Sequence, residues 1–308
     1  MNVAVIGANG FIGRNLLLGL AVEHRIFALD LGEGLSRFVS AAGLEGVEAA
    51  SCDLTDPQAL SALAATWPAR LDAVIYLAGN GDPARSVTEP AFDLSHTTLG
   101  LVNFLQAFRA DHFVYFSSGA VYDGIEGKVG PELPVSPVLP YAIGKLAAER
   151  YVHFFAGHGE ISRFTILRFF GAYGPYEPPR KIYTKLVRAF ALEKKRRFTI
   201  RGDGRNLIDA MYVADAVRAL AAVLDSSGNS ATLDFCVGKP FTLRGLVEAA
   251  ARNFGIEPEI VCEGEVPEYI AFRPDARAFN ERFGFSPAVP LEEGLSRLAE
   301  FLAANQAS

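Results

Sequence analysis

Asn2-Val3-Ala4-Val5-Ile6-Gly7-Ala8-Asn9-Gly10-Phe11-Ile12-Gly13 reads as a short buried strand running straight into a glycine turn, and Arg14 to Leu20 follow as a helical run. Gly7, Gly10 and Gly13 permit a tight turn and bring the backbone at Asn9, Phe11 and Ile12 close to a pyrophosphate. The first N–H groups of the helix add donors and the positive end of its dipole. A second apolar strand, Arg25-Ile26-Phe27-Ala28-Leu29-Asp30, ends in an acid about twenty residues after the loop, where a carboxylate can accept hydrogen bonds from a ribose diol. An acid there repels a 2′-phosphate, so the expected cofactor is NAD rather than NADP.

Outward from this unit, strands and helices alternate. Val47 to Ser51 form a third strand, after which Asp56 caps a helix opened by Pro57. Asp53, beside Leu54, falls where an adenine edge can be read. Asp72 to Gly79 form a fourth strand whose last residues, Leu77, Ala78 and Gly79, let the backbone approach a dinucleotide. Pro90 to Ala110 read as one long helix and His112 to Phe116 as a fifth strand. This alternation predicts an α/β fold, a doubly wound (Rossmann) parallel sheet, with a smaller C-terminal α/β substrate domain.

The fifth strand delivers Ser117-Ser118-Gly119-Ala120-Val121-Tyr122 to the carboxyl edge of the sheet, where open α/β folds bind ligands. Pro140-Tyr141-Ala142-Ile143-Gly144-Lys145 then opens a helix running to His158, with Tyr141 and Lys145 on one face, a turn apart. A phenol ionises near pH ~10, and a close ammonium favours the phenolate, so the pair can move a proton near neutrality.

The chain has 308 residues, half of them hydrophobic and 21% charged, an ordinary globular balance. A net charge of −6 leaves no electrostatic footprint for nucleic acid, and Lys194 to Arg197 read as the solvated end of a helix. Cys52, Cys236 and Cys262 are odd in number and widely spaced, suiting neither a disulfide framework nor a metal site and implying a reducing compartment. With no secretory signal and no apolar run near the ~20 residues of a membrane span, a cytoplasmic location is expected.

Taken together, the glycine loop, Asp30, Asp53-Leu54, Ser117-Ser118 with Val121-Tyr122, and Tyr141-x-x-x-Lys145 are similar to the extended short-chain dehydrogenase/reductases, the NAD-dependent nucleotide-sugar epimerase/dehydratase family. Thr165 to Pro175, Gly202 to Asp215, Asp275 to Ala278 and Leu291 to Leu295 continue the resemblance through nearly the whole chain. It implies a cofactor domain of residues 1–171 plus roughly 207–238, interleaved with a substrate domain of 172–206 plus 239–308.

The resemblance also implies roles. Tyr141 would be the acid/base at a sugar carbinol, and Lys145 would lower its pKa and bind the nicotinamide ribose. Ser118, four residues before Tyr122, would donate to the substrate oxygen, with Ser117 beside it lining the cofactor. Gly171 and Arg205 join Ser118 and Tyr141 as expected substrate contacts. Gly119 and Ala120 stand where the family's dehydratases carry an Asp-Glu pair, so elimination of water lacks its acid and base. Gly171, Ile208 and Thr97 replace an Asn, an Arg and an Asn found in many members; Arg180, Lys181, Arg201 and Arg205 are cations that could substitute. The reading is a nucleotide-sugar 4-epimerase, against a 4-ketoreductase or dehydrogenase with exchangeable cofactor, or a non-catalytic dinucleotide sensor. Leu94, Leu101, Leu105, Phe108, Tyr151, Phe154 and Phe155 exceed what one core-facing stripe needs and predict a homodimer through the two long helices.

Overall fold

The computed structural model describes residues 1–266 and 270–305. Seven parallel strands form its central sheet: β1 Asn2–Ile6, β2 Arg25–Asp30, β3 Val47–Ser51, β4 Leu71–Tyr76, β5 Ala110–Ser118, β6 Ile161–Phe169 and β7 Ala231–Phe235, in the order β7-β6-β5-β4-β1-β2-β3. The order reverses between β1 and β4, which leaves a crevice at their carboxyl ends. Because helices cover both faces, the central strands are apolar on both sides; Val3 to Ile6 and Val74 to Tyr76 are fully buried.

One face of the sheet packs α1 (Phe11–Leu20) and α2 (Gly34–Ala41) through Leu16, Leu17, Leu20 and Leu35. The other face packs α3 (Pro57–Ala64), α4 (residues 90–107) and α5 (Pro140–His158). A further helix, α6 (Val213–Asp225), returns to the first face beside α1, and so do Phe279 and Phe285 from the C-terminal part. A separate apolar core joins Tyr173, Tyr183, Leu186, Phe190, Leu246, Val247, Leu295 and Leu298.

Local chemistry explains the boundaries. Gly10 is extended and opens α1 at Phe11, three residues before the expected start. Asp56 caps α3 by accepting the N–H groups of Gln58 and Ala59, and Pro57 fills a position that needs no donor. The long helix differs from expectation. It ends at Ala107 because Phe108 turns extended, β5 begins at Ala110, and residues Ser95–Leu99 form a π turn within it. α5 opens on Pro140 and stops at Gly159 in the left-handed region, φ 87°.

Of the apolar residues expected at a dimer face, Leu101, Leu105, Phe108 and Phe155 pack on the sheet instead. Leu94, Tyr151 and Phe154 stay exposed, as do Ile143 and Leu99.

A buried polar chain ties α5 to the sheet. Glu149 accepts from Ser117 Oγ at 2.5 Å and pairs with Arg168 of β6 at 2.9 Å. Arg168 also donates to Tyr122, whose hydroxyl donates to Asp234 of β7 at 2.7 Å. Removing one partner of a buried pair strands the other charge. Arg168→Met should therefore lower the unfolding free energy by about 3–5 kcal/mol, and adding Glu149→Gln should restore part of it; urea midpoints at constant slope measure both.

Candidate active site

A cleft of 890 Å³ opens at the carboxyl ends of the strands. The glycine turn forms its floor. Gly7 and Ala8 donate backbone N–H groups to Leu29 O, which locks the turn against the end of β2. Gly7 has φ +86°, and a Cβ on it would lie 2.8 Å from the backbone nitrogen of Ala78, so no side chain fits between these two strand ends. A Cβ on Gly13 would lie 2.5 Å from the carbonyl oxygens of both Gly7 and Ala8. Asn9, Gly10, Phe11 and Ile12 line the cleft between them.

Asp30 stands at the rim, where it accepts the Asn9 N–H at 2.7 Å and the Leu31 N–H at 2.7 Å. Each oxygen keeps a second lone pair, as reading a ribose diol requires. Asp53 holds Thr55 through both its N–H and its hydroxyl, and these bonds lower the carboxyl pKa. Leu54, Leu77, Ala78 and Gly79 complete this half. The residues thus fit a dinucleotide: a turn without side chains, free backbone approach, and an acid at the strand end.

The other half of the cleft contains Ser118, Tyr141 and Lys145. Lys145 is buried, and its ammonium donates to Phe116 O at 2.9 Å, 5.9 Å from the centre of the Tyr141 ring. Burial brings its pKa down to about 8, against the pull of Asp93 and Glu149. The Ser118 oxygen accepts the Ala120 N–H at 3.1 Å, leaving its hydrogen to reach the Tyr141 oxygen. The hydroxyl therefore caps the following turn and serves the phenol at once. Ser117 lines the same wall, but its hydroxyl is turned to Glu149.

Tyr141 departs from expectation in one respect. Its pKa is raised, first by burial and then by Asp93, with only the Ser118 hydrogen bond opposing. Lys145, expected to pull the phenol down, is not among the groups that shift it; its amine donates to the Phe116 carbonyl. Sequence reasoning missed Asp93, a buried acid of α4 that accepts from Asn80 Nδ2 at 2.8 Å and abuts Gly144, where a Cβ would lie 3.0 Å from its oxygen. Within α4 it looked like any helix acid. A second missed acid is Glu177, buried in the cleft wall and pushed up to about 7 by desolvation, although it accepts both the N–H and the hydroxyl of Thr184.

Gly171 lines the cleft with φ +153° against Asp209 and Ala210. Arg205 is not brought there: its guanidinium lies against Asp203 on an exposed turn. Arg180 and Lys181 do line the cleft.

Residues 3–238 match the NAD dependent epimerase/dehydratase family. The chain is similar to a UDP-glucose 4-epimerase of Mycolicibacterium smegmatis, 28% identical with 98% of each chain covered. It is also similar to a GDP-6-deoxy-D-mannose reductase of Pseudomonas aeruginosa, 29% identical over 94% of this chain and 93% of the other. Among solved structures, the UDP-glucose 4-epimerase of Thermotoga maritima with UDP-glucose superposes with a TM-score of 0.87 at 25% identity, covering 99% of this chain and all of that one.

The closeness of Gly7 to Ala78 is open to a direct check. Gly7→Ala should weaken NAD binding at least tenfold in a fluorescence titration, whereas Gly157→Ala, with open space around it, should leave it unchanged.

Proposed function

Because this chain belongs to the NAD dependent epimerase/dehydratase family, we propose that it is a nucleotide-sugar 4-epimerase that oxidises a ring carbinol transiently and restores it with the opposite configuration. The observation that carries the reading is the meeting of the Tyr141 phenol, the Ser118 hydroxyl and the glycine turn in one cleft. NAD, when bound, would supply the hydride acceptor. Gly7, Gly10 and Gly13 would admit its diphosphate, Asp30 its adenine ribose, and Lys145 its nicotinamide ribose.

Tyr141 takes the proton from the substrate hydroxyl and gives it back to the same oxygen. Ser118 donates to that oxygen as its charge changes, with its orientation already set by Ala120. Lys145 keeps a cation near the phenol, and Asp93 balances it inside the protein.

Elimination of water is poorly served. Gly119 offers no acid, and a Cβ there would lie 2.7 Å from the Phe170 ring, so a larger side chain would have to displace that ring. A 4-ketoreductase is the second reading, favoured by similarity to the mannose reductase. Asp30 at the ribose end weighs against NADPH. Cys52, Cys236 and Cys262 are all free thiols, in keeping with a cytoplasmic setting. No described helix is long and apolar enough to cross a membrane.

The exposed Leu94, Leu99, Ile143, Tyr151 and Phe154 on α4 and α5 support a homodimer across these helices. Sedimentation at micromolar concentration should give twice 33.2 kDa, and Phe154→Glu should give the monomer.

Purified protein should retain NAD and interconvert two sugar nucleotides without net absorbance change at 340 nm. Tyr141→Phe should keep the cofactor and lose about 10²–10⁴-fold in turnover. Stoichiometric NADH formation or consumption would identify the reductase instead, and full turnover by Tyr141→Phe would leave only the binding fold.

A further inference from the structure

We infer that the phosphates of the substrate are held by Arg180 and Lys181, which line the same cleft as Ile208. This rests on the reading that the substrate is a nucleotide sugar. A diphosphate leaving water for a cleft needs cations or N–H donors in place of its hydration. Among the described lining residues, the side chains of Leu207, Ile208, Pro240, Ile270, Phe272 and Pro274 have neither a charge nor a donor to offer. The acid next to Ile208, Asp209, repels anions and also consumes the backbone N–H groups of Val237, Gly238 and Lys239, at 2.7, 2.8 and 3.1 Å.

Among the described lining residues the Lys and Arg side chains are Lys145, Arg180 and Lys181. Lys145 is buried and committed to Phe116 O at the reacting end. Arg180 is held only loosely, with 3.5 Å contacts to Asp82 and to Gly81 O, and is half exposed. Lys181 makes no ion pair among the described residues. Burial first, and then the charge of Arg180, lower the Lys181 pKa, while Glu177 and Asp82 pull it the other way. An anion placed between Arg180 and Lys181 relieves the repulsion.

The segment is also positioned in advance. Glu177 bonds to Thr184 at 2.9 and 2.6 Å, closing a bridge over six residues that include Pro178 and Pro179, so the cations are presented from a short stiff span. Arg180 offers a planar fork and Lys181 a point charge, a combination suited to adjacent phosphate groups.

Calorimetry on NAD-saturated protein, with UDP, inorganic pyrophosphate and uridine as probes, tests the assignment. In the Arg180→Gln/Lys181→Gln double variant UDP and pyrophosphate should bind at least tenfold more weakly and with a shallower salt dependence. Uridine and NAD should bind as in the wild type. UDP affinity within twofold of wild type would overturn the site while leaving the epimerase reading intact. Phosphate-dependent binding that requires both cations, in a protein that turns over no nucleotide sugar, would keep the site and sink the reaction. Wild-type protein that binds neither UDP nor pyrophosphate would overturn the site.

Discussion

The Glu149 carboxylate, out of water and held by Arg168 and Ser117, is the interaction on which the geometry of the cleft depends. It lies one turn beyond Lys145 on α5, so pinning it to β5 and β6 fixes the helix along its own axis and in rotation. A buried ion pair contributes little net stability, because desolvation cancels much of its attraction. Its effect here is on register. With Glu149 fixed, Lys145 meets the Phe116 carbonyl, and Tyr141 meets the hydroxyl at the end of the same strand.

The cleft divides by polarity. At the cofactor end, backbone dominates: glycines at a strand turn and small residues at the end of β4 leave room for a flat, charged ligand. At the reacting end, three ionisable groups that sequence spacing never suggested as a set, Tyr141, Lys145 and Asp93, sit within each other's fields. Burial raises the phenol and lowers the amine, and both shifts favour neutral forms.

The fold was legible because its signals are local. Gly7 to Gly13 need only a strand before and a helix after, Pro57 and Pro140 announce helix starts, and Asp56 shows its cap in its own neighbourhood. The same holds for Tyr141 and Lys145, whose pairing is a matter of helical spacing. What stayed hidden depends on partners distant in the chain. Asp93 packs against Gly144, where a side chain would crowd it, and Glu177 is buried where it bonds to Thr184, seven residues on. Arg205 shows the converse: a cation in the expected segment is drawn off by Asp203, two residues away. The helix faces were half read, since spacing cannot say whether an apolar residue meets the sheet, as Leu101 does, or solvent, as Phe154 does.

The π turn at Ser95–Leu99 inserts a residue into what would otherwise be a plain α-helix, and it sits between two surfaces with different duties. Upstream, Asp93 faces Gly144 of α5; downstream, Leu101, Phe104 and Leu105 fill the core against the sheet. Each residue of an α-helix advances by about 100°, so losing that insertion would swing the acid away from the lysine or drag the leucines out of the core. The two faces are geared to one another, so a one-residue change in the length of this helix disturbs one of them.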